Sequence, residues 1–257
     1  MQRWRRILGA SAVLLAAAAL APALAAAAPA PAEARPSGAS KSWSLRRGDA
    51  NAGVANVQRR LSELGYDPGP VDGRFGAATE MAVWAYEKAH GRAATGIVRP
   101  ELWKLMETAP EPGPLLADGP PTRLEIDLAR QLVAYWQDGR RVVLSHASSG
   151  TGLPFCENGV CDVAVTPAGR FLVQRRTQGW RESPLGKLYN PIYFFRGWAV
   201  HGSYEVPPYP ASHGCVRLPM HVADRLFTLV PDQTPVYVVG VPPLRPAAAP
   251  TPAAAAV

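Results

Sequence analysis

Cys215 sits in the run Ser212-His213-Gly214-Cys215-Val216-Arg217, and His201 lies fourteen residues before it. Three cysteines occur in 257 residues, and this one is accompanied by two imidazoles. A thiol needs a base to become the nucleophilic thiolate, and either histidine is a candidate for that base. The chain between them contains Pro207, Pro208 and Pro210 and has neither a helical nor a strand period, so it reads as a loop that brings its two ends together. The chemistry this suggests is cysteine acyl transfer. Such a site needs a nucleophile, a base, an acceptor that orients the base, and donors for an oxyanion. Gly214 frees the backbone around residues 213–215 to aim N–H groups at an oxyanion. Arg217 adds positive potential that lowers a thiol pKa or grips a carboxylate. Ser212 is a hydrogen-bond partner for a histidine in this reading. No carboxylate is an obvious orienting group, which leaves a backbone carbonyl for that task.

Three other readings compete. His201, His213 and Cys215 have the right atoms for zinc, but their spacing matches no zinc pattern and a metal would mask the thiol. Cys215 as an inert buried residue is the default for a lone cysteine, but not for one among two histidines, a serine, a glycine and an arginine. A wall-binding or scaffold protein with a dead enzyme domain is the third.

The N-terminus has Arg3, Arg5 and Arg6, then an apolar run to about residue 28 made almost wholly of Ala, Leu and Val. This pattern is expected to be a secretory signal peptide over residues 1–28, with Arg5-Arg6 compatible with twin-arginine export. Loss of the leader lowers the formal charge from +7 to +4. That excess is too small and too scattered for nucleic-acid binding, and no nucleotide motif occurs. Export permits disulfides. Cys156 and Cys161 bracket a short turn-like segment, and a bridge there would contribute about 2 kcal/mol. Two free thiols, or half of a metal site, are the other readings of this pair. With the bridge, Cys215 is the odd free thiol.

The elements that must position this thiol fall into blocks. Residues 29–42 are a polar linker. In residues 43–108, Val54, Val57, Leu61 and Leu64 mark one helix face ending at Gly65. A second helix is expected over 77–89 and a third from Pro100, giving a small three-helix bundle. Residues 109–120 form a Pro-rich linker, and residues 121–241 read as many short strands with one or two helices. Among them are strands around Leu124–Leu128 and 131–137, an Asp138-Gly139 hairpin turn into 141–144, strands over 170–175, 192–195 and 198–200, a helix over 220–230 and a closing strand. The tail, 242–257, is Pro/Ala-rich. The fold class is α+β: a helical bundle followed by a mostly-β, sandwich-like mixed-sheet domain.

Residues 43–108 resemble the peptidoglycan-binding domain of bacterial wall enzymes, through Leu45-Arg-Arg-Gly-Asp49, Val57-Gln-Arg-Arg-Leu61, Leu64-Gly-Tyr66 and above all Val71-Asp-Gly-Arg-Phe-Gly-Ala-Ala-Thr79. Turn geometry accounts for Asp72, Gly73 and Gly76, and a helix-end role for His90. Residues 121–241 resemble the L,D-transpeptidases (YkuD-type), the bacterial peptidoglycan cross-linking cysteine enzymes. The signature is His201-Gly-Ser with Ser212-His-Gly-Cys-Val-Arg217, supported by Leu124-Glu-Ile-Asp-Leu128, Ser148-Ser-Gly-Thr-Gly152 and Thr166-Pro-Ala-Gly-Arg-Phe171. His201 stands closer to the cysteine than in many members, which implies a shorter loop over the site.

The resemblance implies that Cys215 is the nucleophile, that His201 is the proton donor and acceptor, that His213, Gly214 and the Cys215 backbone support the oxyanion, and that Arg217 stabilises the site. It implies release of terminal D-alanine from a tetrapeptide stem, a thioester, and a 3→3 cross-link formed by a neighbouring stem's amine, with carbapenems acylating the same thiol. Water as acceptor gives an L,D-carboxypeptidase, and exchange onto another wall component gives anchoring. No cofactor and no metal are implied. The partner is peptidoglycan, the protein is expected to be a monomer without a membrane span after signal cleavage, and its place is the wall or periplasm of a bacterium. A tethered wall-binding module would raise the local concentration of stems at the site.

Overall fold

The computed structural model describes residues 42–243. The expected leader, nearly all of the first linker and the tail beyond residue 243 lie outside the described residues. Among the described residues no helix is long and apolar enough to cross a membrane.

The bundle comprises α1 (Ala52–Glu63), α2 (Ala77–Ala89) and α3 (Pro100–Thr108). The Asn51 side chain caps α1 by accepting from Val54 N–H at 3.1 Å, and Gly65 takes the positive φ of 81° that turns the chain past its end. Val54, Val57 and Leu61 are buried as the period predicts. Between α1 and α2, buried Gln58 receives N–H bonds from Asp72 (3.1 Å) and Gly73 (2.9 Å) and donates to the Asp72 carboxylate (3.0 Å). Asp72 and Gly73 therefore build a turn, and His90 folds its Nδ1 back to the Tyr86 carbonyl at 2.9 Å.

The β domain holds β1 (Arg123–Asp127), β2 (Leu132–Gln137), β3 (Arg140–His146), β4 (Pro154–Glu157), β5 (Val160–Val163), β6 (Gly169–Leu172), β7 (Arg175–Arg176), β8 (Trp180–Ser183), β9 (Gly186–Phe195), β10 (Trp198–Gly202), β11 (Val216–Leu218), α4 (Met220–Leu229) and β12 (Pro235–Val239). One sheet has the order β3-β2-β1-β12-β6 and a second β11-β10-β9-β7, with β8 on β9. The β1–β12 and β10–β11 pairs are parallel and the others antiparallel. Leu124, Ile126, Val133, Tyr135 and Val236 of the first sheet meet Ile192, Phe194, Val200 and Val216 of the second, with Val222 and Leu226 of α4, in one apolar core. This is the expected α+β sandwich.

The chain departs from its sequence reading where tertiary contact outweighs local pattern. The segment 170–175 is two strands, not one: β6 and β7 belong to different sheets, and the chain crosses between them at Val173 and Gln174. β9 begins six residues before the apolar run that signals it. β11 follows Cys215 directly, where no strand was expected. β3 runs on through Ser145 and His146, which are buried despite being polar.

The outer face of β1 and β2 is covered as well. Arg123, Glu125 and Asp127 are buried, and Glu125 binds the Arg123 guanidinium (2.7 Å), the Trp136 indole N–H (3.0 Å) and the Leu115 backbone N–H (3.0 Å). Leu132, Ala134 and Leu144 share a core with Val57, Leu61, Tyr66 and Tyr86 of the bundle. Leu144 N–H donates to Gly65 O at 3.0 Å, Arg141 binds Leu64 O at 3.0 Å, and Glu111 pairs with Arg141. Residues 109–121 are thus packed and bonded rather than acting as a free tether, and the bundle is docked on the sheet.

Candidate active site

Strand alternation decides which side chains can meet. In the parallel pair β10–β11, Val200 lies opposite Val216 and His201 opposite Arg217. The valines point into the sandwich core. His201, Arg217 and, two residues earlier on the same face, Cys215 point the other way. All three line a cavity of about 1100 Å³, together with His213, Ser212 and Tyr204. Cys215 is half-buried and is the free cysteine of the described residues.

His201 is only 5% exposed, and its Nδ1 lies 2.9 Å from the Gly202 carbonyl. A carbonyl only accepts, so Nδ1 carries the proton and Nε2 keeps its lone pair. The orienting acceptor is therefore a main-chain oxygen. Burial pulls the imidazole down to about 4, aided by the Arg217 charge and opposed by the Gly202 bond. The Cys215 thiol is pushed above its ordinary value by burial, with the Ala199 backbone and Arg217 pulling against it. The thiol donates to Gly197 O at 3.7 Å, consistent with a resting S–H. Both shifts favour a neutral thiol beside a neutral imidazole.

The other residues singled out in the sequence divide by role. Ser212 does not partner a histidine: its hydroxyl donates to Cys215 O and accepts from Gly214 N–H at 3.0 Å, closing its own turn. The Gly214 N–H, expected among the oxyanion donors, is bonded to the Ser212 hydroxyl. Gly214 still needs to be glycine. Its φ is 137°, and a Cβ would stand 2.7 Å from the Trp198 indole nitrogen. His213 turns to the β4–β5 hairpin, where Nε2 meets the Glu157 carboxylate at 3.2 Å and Phe155 packs against its ring. In that hairpin Cys156 and Cys161 are opposite one another and disulfide-bonded, and Asn158-Gly159 supplies the two positive φ values of the turn.

Sequence reasoning did not identify the residues beneath the turn that carries Cys215. The Thr166 hydroxyl accepts from Gly150 N–H at 2.9 Å and donates to Gly214 O at 2.6 Å. Trp198 Nε1–H donates to Val165 O at 2.8 Å. In the sequence Thr166 stands only as the first residue of the Thr166–Phe171 segment, and its fold partners reveal its task. Thr166→Val keeps the shape and leaves two buried main-chain groups unpaired, a cost of about 1–3 kcal/mol each. The expected outcome is a lower denaturation midpoint together with a loss of kcat, measured on the same preparation.

Known proteins are similar to both halves of this chain. A family model for a peptidoglycan binding domain matches residues 50–106, and one for the L,D-transpeptidase catalytic domain matches residues 121–238. The crystal structure of an L,D-transpeptidase from Xylanimonas cellulosilytica is 38% identical, covers 76% of this chain and 97% of that one, and superposes with a TM-score of 0.71. An L,D-transpeptidase from Stackebrandtia nassauensis is 20% identical over 78% of this chain and 97% of its own, with a TM-score of 0.44. The N-acetylmuramoyl-L-alanine amidase CwlM of Mycobacterium tuberculosis is 48% identical over 48 residues, which are 19% of this chain and 12% of that protein. The chain thus spans about an eighth of the length of that curated relative. With the catalytic-domain match, the extensive likeness to the Xylanimonas enzyme and the shared placement of the fold, this chain belongs to the L,D-transpeptidase family.

Proposed function

We propose that the protein is an exported peptidoglycan L,D-transpeptidase that forms 3→3 cross-links through a thioester on Cys215. The observation that carries this reading is His201, buried, fixed through Nδ1 to Gly202 O, and lining one cavity with the thiol. In the first half-reaction His201 Nε2 takes the thiol proton as sulfur attacks the carbonyl before the terminal D-alanine of a tetrapeptide stem. With Gly214 N–H committed, the backbone N–H groups of Cys215 and His213 are the proposed oxyanion donors. The C–N bond breaks, D-alanine leaves with the proton from His201, and the acyl group stays on sulfur. A side-chain amine of a second stem then attacks the thioester, His201 takes its proton, and the thiol is restored. No nucleotide is consumed, because the energy of the broken amide is retained in the thioester. The helical bundle is proposed to bind peptidoglycan beside the site.

The reading is tested by incubating purified protein with tetrapeptide muropeptides and following intact masses. Cross-linked dimers are expected, with a transient acyl adduct on Cys215. Release of D-alanine without dimers would make the enzyme a carboxypeptidase, and no adduct at all would overturn acyl transfer.

The resting protonation states set a pH profile. Protonating His201 removes the base, and its pKa is depressed, so kcat/KM is expected to fall only as pH drops toward about 4. The raised thiol pKa means no thiolate-driven increase across the neutral range. Single-turnover acylation measured against pH checks this. An acid limb near the ordinary histidine value of about 6.5 would show that the base is not the buried, neutral His201.

A further inference from the structure

Beyond the reacting groups, one buried pair joins the helical bundle to the loop between His201 and Cys215. Lys88 of α2 is 9% exposed and His146 at the end of β3 is 1% exposed. Lys88 Nζ lies 2.9 Å from His146 Nδ1. The other ring nitrogen, Nε2, stands 3.0 Å from Val206 O and 3.1 Å from Pro207 O. Both carbonyls only accept, so Nε2 must hold the proton. Nδ1 is then the acceptor, and the lysine amine is its donor. The lysine therefore selects the tautomer that can hold the loop. The ring is walled on the bundle side by Trp84, edge-on at 5.3 Å.

His146 is the first of a row. Ser148 Oγ donates to Tyr209 O at 2.7 Å, and Ser149 O accepts from Ala211 N–H and Ser212 N–H, each at 3.0 Å. Residues 146–149 thus form a rail beneath the loop from Val206 to Ser212. That segment belongs to the loop that leaves β10 after His201 and Gly202 and returns at the turn carrying Cys215. A proline-rich loop has few main-chain donors of its own, so side chains of the rail must hold its carbonyls.

We propose that His146 is a positioning residue for acyl transfer, holding the loop that joins His201 to the Cys215 turn and whose residues Ser203, Tyr204 and Glu205 line the cavity, and that Lys88 of the wall-binding bundle fixes it in the competent tautomer. The bundle is then part of the scaffold of the active site as well as an anchor. Burial draws the lysine down to about 7 and the imidazole to about 3, and both shifts favour an uncharged or singly charged relay over a doubly charged pair. The catalytic consequence rests on the transpeptidase reading above, whereas the loop-holding consequence does not.

The test uses the full chain with Lys88→Met, His146→Leu and His146→Gln. Steady-state kcat and KM on tetrapeptide stems are measured alongside amide hydrogen exchange of residues 203–212 and thermal unfolding. Lys88→Met and His146→Leu are expected to lower kcat by about tenfold or more, the scale of one buried group left unpaired, with little change in KM. Exchange should quicken in the loop while the bundle amides stay protected. His146→Gln places an amide N–H near the position of Nε2 and is expected to recover most of the loss. Variants that lower only the unfolding temperature, with kcat and loop exchange unchanged, would overturn the proposal. So would a glutamine variant no better than leucine. If His146→Leu does not fold, Lys88→Met decides alone. A parent protein inactive on stems would sink the transpeptidase reading instead, and loop exchange would still report on the relay.

Discussion

Cys215→Ala is expected to abolish acyl-enzyme formation and cross-linking while leaving wall binding and the fold intact. The fold should survive because the sulfur contributes little to it: a long contact to Gly197 O and the Ala199 backbone beside it, at the edge of a small cluster with Leu188, Tyr193 and Ala199. The chemistry should not survive, because no other described residue in the cavity offers a thiol. Removing an essential nucleophile lowers kcat by about a millionfold in well-studied acyl-transfer enzymes. His201→Ala is expected to cost about 10²–10⁴, the usual worth of a positioned base. The double variant should be no worse than Cys215→Ala, since groups acting on one proton transfer are not additive. The measurements are intact mass after exposure to stems, pull-down with wall material, and the unfolding temperature of each variant. Turnover by Cys215→Ala comparable with the parent's would refute the assignment of the nucleophile.

What could be read in advance follows from how local each signal is. The helix faces of α1 and α2 depend on spacing within a dozen residues, and Val54, Val57 and Leu61 are buried as that spacing requires. The Asn158-Gly159 and Asp138-Gly139 turns are similarly self-contained, because positive φ at those residues needs no distant partner. That His201 and Cys215 come to one cavity was also legible, since a rare thiol near imidazoles is a chemical signal in its own right. The roles around them were not. The Ser212 hydroxyl binds the Gly214 N–H and the Cys215 carbonyl rather than a histidine, and that depends on a turn whose shape is imposed by Thr166, forty-eight residues away from Gly214. Arg123, Glu125 and Lys88 look like solvent-facing charges in the chain, yet all three are buried. They are covered because the bundle and residues 109–121 lie on the outer face of the first sheet. Packing of one module on another leaves little trace in the periodicity of either, so a docked bundle read as a tethered one.

Gly150→Ala is expected to be the most damaging single-methyl change in the β domain. A Cβ at residue 150 would lie 2.1 Å from Ala164 O, 2.9 Å from Ala164 C and 3.0 Å from Gly214 Cα. All three are main-chain atoms, so no rotamer change relieves the overlap. Nor can the Ala164 carbonyl simply withdraw, because it accepts from Gly152 N–H at 3.0 Å. The Gly150 strand is tied on its other side to Thr166 Oγ1 at 2.9 Å, and Thr151 N–H donates to Ser212 O at 3.1 Å. Relief must therefore come from moving the 212–215 turn, which carries Cys215. Overpacking against rigid backbone costs about 3 kcal/mol or more. Displacing a reacting group by about 1 Å costs on the order of a hundredfold in rate. Both losses should appear together, as a lower unfolding temperature and a lower kcat. Gly152→Ala separates crowding from backbone preference: Gly152 has a φ of 73° but nothing within 4 Å of its Cβ position. That variant should bear only the left-handed strain of about 1 kcal/mol and keep its turnover. A Gly150→Ala protein with parental stability and kcat would mean that the close approach of residues 150, 164 and 214 is not what holds Cys215 in place.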